Sequence, residues 1–298
     1  MEVRKVNGFF IIFVIGYIGL SVVCASIMAY AQNSGIAVPD WIQYVMSEGI
    51  ILLIAIIYMI VQKIDPITEI PYKRISIVDI VLSLVAGYCL IPAVLLISNL
   101  SMLFSTNYLE EGTTTLLTYP FAMQVILLAV IPPLVEELIF RGIFFGSYRK
   151  AGMTGAALMS GLLFGCFHLN INQALYAFVM GIVFAYMVEA TGSLWSSVIA
   201  HFAVNTYSIG IVQILKMAGM YAQDGSVSET FENAESVAGQ STSITVVQIA
   251  MIAVIAAVFM MLAVLCIRTM AKRHGNLEKM KIQNVKLSHI KNYFTAPV

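Results

Sequence analysis

Charge is what this chain of 298 residues has least of: 11% of its residues are Asp, Glu, Lys or Arg, against 60% hydrophobic. A soluble domain carries about 25% charged residues, so a water-soluble globular enzyme is excluded. The mean hydropathy of +0.90 agrees. Sixteen basic residues balance sixteen acidic ones, and a net charge of zero argues against nucleic-acid binding through bulk charge. Cysteine is also scarce: Cys24, Cys89, Cys166 and Cys266 lie in apolar runs without a CxxC pair. They read as small hydrophobes, neither a disulfide frame nor a zinc knuckle. Period-two alternation is missing as well, which excludes a transmembrane β-barrel.

What remains is a succession of long apolar runs. Eight are long enough to cross a hydrocarbon core of about 30 Å, near 8–31, 41–62, 76–99, 121–147, 153–169, 171–189, 193–216 and 244–267. The expected fold is an all-α, polytopic membrane helix bundle. The first run follows Arg4 and Lys5 as a signal peptide would, but its apolar stretch exceeds an h-region of about 7–15 residues, so it is read as a retained span. With both termini in the cytosol, fourteen of the sixteen basic residues fall on the cytosolic side, and only Lys216 falls outside while Arg141 stays within a span. That is the positive-inside arrangement. The chain divides into 1–118 (three helices), 119–217 (a four-helix core), 218–243 (an acidic outer loop) and 244–298 (the last helix and a basic tail). Seven basic residues from Arg268 to Lys291 suit the tail to anionic lipid head groups.

Ionisable groups inside the spans are costly and mark function by default. The fourth span holds Pro132, Pro133, Glu136, Glu137 and Arg141. Glu137 and Arg141, four apart, share a helix face and can pair; Glu136 points about 100° away, free to act as a general base. The prolines predict a kink. The fifth span ends at His168, with Phe164 one turn before it, and the seventh carries His201 and Asn205 four apart. Separately, each is ordinary: a core histidine bonded to a carbonyl, an aromatic stripe, an interhelical hydrogen bond. Together, Glu136, His168, His201 and Asn205 are most economically housed in one shared polar cavity. Counted at about 1.5 Å per residue from the inner helix ends, they lie about 12 to 22 Å deep, a spread that tilt must absorb.

These groups suffice to hydrolyse an amide. Glu136 with His168 can activate a water, and His201 with Asn205 can stabilise an oxyanion. No intramembrane serine or cysteine is set as a nucleophile. Glu136, His168 and His201 would also compose a zinc set, but no HExxH motif is present and no cofactor is assigned.

Glu136-Glu137-x-x-x-Arg141, Phe164-x-x-x-His168 and His201-x-x-x-Asn205 resemble, in order, the three motifs of the CPBP family (CAAX prenyl protease and bacteriocin-processing, also called Abi). The glycine-bearing sixth span and Thr191-Gly192-Ser193-Leu194-Trp195 resemble it too, so the likeness covers about residues 119–210. It implies an intramembrane endopeptidase with a conical cavity open to the cytosol. It assigns Glu136 as base, His168 as water-positioning partner, His201 and Asn205 as oxyanion donors, and Glu137, Arg141 and Phe164 as support. The implied partner is a membrane-associated protein or peptide, lipidated or not, with cleavage near its C-terminus or membrane-proximal part. The implied location is the plasma membrane in a bacterium or the endoplasmic reticulum in a eukaryote. A non-catalytic scaffold or bacteriocin self-immunity protein and a proton-coupled transporter are the alternatives.

Overall fold

The computed structural model describes residues 3–105, 119–219 and 246–281. The acidic loop from 220 onward and the tail beyond 281 therefore lie outside the described residues.

Among the described residues eight helices form the bundle: α1 (Val3–Asn33), α2 (Trp41–Gln62), α3 (Ile77–Ser101), α4 (Phe121–Tyr148), α5 (Met153–Phe167), α6 (Ile171–Thr191), α7 (Trp195–Met217) and α8 (Val246–Arg273). Seven are long and apolar enough to cross a bilayer. The exception is α5, which has 15 residues and spans about 22 Å. The protein is a polytopic integral membrane protein.

Local chemistry sets several boundaries. Lys63 closes α2 in the left-handed conformation (φ 55°). A reciprocal capping box starts α3: the Ser76 hydroxyl accepts from the Asp79 amide and the Asp79 carboxylate accepts from the Ser76 amide. Asn170 caps α6 by accepting from the Asn172 amide, and Gly192 ends it at φ 68°, a conformation glycine adopts without steric cost.

The prolines of α4 are absorbed without a break. Helical structure is continuous from Phe121 to Tyr148, but Val125–Val130 and Leu138–Phe145 are wound as π-helix. Their wider turns flank the α-helical segment Ile131–Glu137. Single π turns inside α-helices recur at functional sites. The α-helical segment that carries Pro132 and Pro133 thus lies between two changes of winding.

Two apolar cores flank the centre. An aromatic one joins α1, α2, α4 and α5 through Phe9, Phe13, Tyr58, Phe140, Phe144 and Phe167; the Phe9 and Tyr58 rings stack with centroids 3.6 Å apart. The other joins α3, α6, α7 and α8 through residues such as Ala86, Leu90, Phe184, Ala200 and Met270. Small residues let backbones approach within it, as expected where lipid removes the hydrophobic drive. On the aromatic side, a Cβ added at Gly181 of α6 would lie 2.6 Å from the Gly161 Cα of α5, so the α5–α6 pair requires glycine there.

Helix α8 runs six residues beyond the span end expected at 267. Basic side chains at a helix C-terminus complement its dipole, and two of the groups assigned to the basic tail are engaged. Arg273 and His274 bond Asp79 at 3.3 and 3.1 Å. Asp79 is fully buried.

Candidate active site

The motif residues come together. Glu136, Phe164, His168, His201 and Asn205 all line one cavity of about 310 Å³. One cavity thus houses groups that counting along straight helices spread in depth.

His201 is the hub, and it is buried. Its Nδ1 lies 3.1 Å from Glu137 Oε1, and its Nε2 lies 3.7 Å from Glu136 Oε2. The two adjacent glutamates therefore face the two nitrogens of one ring, a convergence that the expected separation of their directions did not anticipate. Glu137 also accepts from Arg141 Nη1 at 2.8 Å, with both side chains fully buried. The guanidinium lies 4.3 Å from the Phe164 ring centroid and 5.2 Å from that of Phe184, within cation–π range. Phe164 thus binds the supporting cation and also packs edge-on against His168 (4.8 Å) and His201 (5.8 Å).

His168 follows directly on α5. Its Nδ1 is 2.7 Å from the Phe164 carbonyl, the hydrogen bond expected of a core histidine. A carbonyl can only accept, so Nδ1 carries the proton and the neutral ring presents Nε2 as an acceptor. Asn205 donates one Nδ2 hydrogen to the Leu128 carbonyl at 2.9 Å, which leaves its second donor.

Among the described residues, no three His, Cys, Asp or Glu side chains converge as metal ligands.

The cavity's position corrects one expectation. Its lining comes from the first two turns of α2 (Tyr44, Ser47, Glu48), the start of α6 (Gln173, Tyr176) and the far part of α7 (Ser208), down to Glu136 and His201. Lys63, Arg149, Lys150, Lys272 and Arg273 mark the opposite end of the bundle. A cytosolic basic end and a cytosol-facing cavity therefore exclude each other. With the basic end inside, the cavity occupies the outer half.

Three further charged groups within the spans escaped the motif reading. Asp79 anchors α8, as described above, and Glu189 pairs with Arg149 at the basic end. Glu48 lines the cavity itself. The signal for each was a carboxylate inside an apolar run.

Residues 118–207 match the family described as Type II CAAX prenyl endopeptidase Rce1-like, and every motif residue from Glu136 to Asn205 falls within that match. The matched segment is under a third of the chain and is what this chain shares with that family. A relative, the candidate membrane peptidase YdiL of Bacillus subtilis (strain 168), is 33% identical over 88 residues. Those residues are 29% of this chain and 36% of the relative, so the match spans about a third of the relative's length. No solved structure matches this chain significantly.

Proposed function

We propose that this protein is an intramembrane endopeptidase that hydrolyses a peptide bond of a membrane-associated protein or peptide by direct attack of water. The observation that carries the reading is the single cavity holding Glu136, His168, His201 and Asn205, with the Glu136 carboxylate facing the His201 ring at 3.7 Å.

The hydrogen-bond roles support the following division of labour. Water held between Glu136 and His168 gives one hydrogen to the carboxylate and the other to His168 Nε2, and its lone pair points at the substrate carbonyl carbon. Glu136 takes a proton as the oxygen–carbon bond forms. The carbonyl π electrons move to oxygen, which Asn205 Nδ2–H stabilises. His201 Nδ1–H is committed to Glu137, so donation from Nε2 uses the imidazolium form, whose charge Glu136 and Glu137 offset. Collapse of the tetrahedral intermediate breaks the C–N bond, and Glu136 returns its proton to the departing amine. Glu137 and Arg141 orient His201 without touching substrate.

The test is cleavage of a library of apolar peptides by purified protein in liposomes, followed by mass spectrometry. Glu136→Gln and His168→Ala should each lower turnover by about 10²–10⁴-fold, and Asn205→Ala by about 10²–10³-fold. Full activity in Glu136→Gln would remove the mechanism. Activity lost to a chelator and restored by zinc would replace water activation by Glu136 with activation by metal.

A further inference from the structure

The cavity contains a second carboxylate that none of the three motifs supplies. Glu48 sits in the second turn of α2 and lines the same space as Glu136. Its Oε2 is shielded from solvent and has no hydrogen-bond partner among the described residues. Such an oxygen carries a desolvation cost that the fold does not repay, which is the condition of a group awaiting a ligand.

The nearest charged groups already have partners. Arg141 serves Glu137, and among the described residues no Lys or Arg lines the cavity. His201 faces Glu136 and Glu137, while the Nδ1 proton of His168 is held by the Phe164 carbonyl. Two carboxylates on one cavity, with no Lys or Arg among its described lining residues, form a receptor for a cationic group. A cationic group entering it would satisfy Glu48 Oε2 and offset the repulsion between Glu48 and Glu136. Depth suits such a group: Glu48 is seven residues from the start of α2, about 10 Å along the helix, within reach of a lysine or arginine extending from the membrane surface.

We propose that Glu48 binds a lysine or arginine side chain of the substrate, next to the bond that the Glu136-activated water attacks. The assignment rests on the endopeptidase reading and deepens it. Selectivity follows from charge in the cavity: a peptide with a basic residue at this subsite is preferred to its neutral twin, and Glu48 is a specificity residue with no part in the proton transfers.

The probes are apolar peptides of about twenty residues in liposomes, each carrying one lysine at a scanned position, with twins bearing norleucine there. Wild-type protein should cleave one lysine peptide at least ten-fold more efficiently than its twin. Glu48→Gln should bring that ratio towards one through KM of the lysine peptide, and Glu48→Asp should retain part of it. An unchanged ratio in Glu48→Gln overturns the proposal, as does a wild type that never prefers lysine. Failure of the endopeptidase reading shows separately, as turnover that survives Glu136→Gln or as no turnover of any peptide. Binding then decides for Glu48: fluorescence anisotropy of the labelled twins should show tighter lysine binding to Glu136→Gln that is lost in Glu136→Gln/Glu48→Gln. Equal binding of the twins overturns the proposal.

Discussion

Replacing Arg141 by leucine tests how the site is held. The guanidinium is fully buried, donates to Glu137 at 2.8 Å and sits 4.3 Å from the Phe164 ring centroid. Removing one member of a buried ion pair costs roughly 3–5 kcal/mol, because the other charge is stranded. Two features pull the figure down. Arg141 Nε and Nη2 have no hydrogen-bond partner among the described residues, so the native pair carries a penalty of its own, and His201 stays 3.1 Å from Glu137 to compensate part of the stranded charge. We therefore expect Arg141→Leu to destabilise by about 3 kcal/mol. Glu137→Gln/Arg141→Leu should cost about 1–2 kcal/mol less than the sum of its single variants, since the partners couple directly. The assay is reversible unfolding in mixed SDS and mild-detergent micelles, followed by the fluorescence of Trp41 and Trp195. A single variant within about 1 kcal/mol of wild type, or singles that simply add, would refute the view that this pair is a coupled, buried support.

Other expectations are more local. Gly181→Ala, with a Cβ 2.6 Å from the Gly161 Cα and 3.2 Å from Arg141 Nη2, should cost about 1–3 kcal/mol by overpacking in the same unfolding assay. It should also lower turnover; wild-type behaviour on both counts would mean that α5 and α6 separate freely. Asp79→Ala removes a capping box and the contacts to Arg273 and His274. It should cost about 1–2 kcal/mol, and hydrogen exchange should quicken at the end of α8; unaltered exchange there would dismiss the latch. In a background freed of native cysteines, an impermeant maleimide applied to intact cells should label Gln43→Cys at the start of α2 and spare Lys150→Cys. The reverse pattern would turn the cavity to the cytosol.

Spacing was the most legible signal. Pairs four apart placed Glu137 with Arg141, Phe164 with His168 and His201 with Asn205 on common faces, since helical periodicity survives any tilt. Continuous apolar length fixed α2 at 41–62 because polar residues bound it on both sides. Helix ends that carry basic residues were less legible: composition read Arg268 to Arg273 as tail, whereas a helix accommodates cations in its last turns. Depth was less legible because counting residues assumes straight, upright helices of one winding, and α4 holds two π-helical stretches. The side to which the cavity opens depends on which halves of the helices line it, a tertiary property absent from any single span. Glu48 was overlooked for another reason: it belongs to no spaced pair, and one carboxylate near a helix start resembles the neighbouring acids of the outer face.

The π-helical stretches of α4 have a consequence for how this helix meets two neighbours at once. Glu136 must line the cavity and Glu137 and Arg141 must reach His201 and Phe164 beside it, while Phe144, Phe145 and Tyr148, one to two turns on, must face the aromatic core. In a uniform α-helix, the angle between those faces would be dictated by residue count alone. Each wide turn acts as a phase shifter, so the cavity-side and packing faces can be set independently along one rod. Deleting Ile143 should leave the upstream face in register and swing the downstream aromatics away from their partners, whereas a deletion in an ordinary loop would be absorbed.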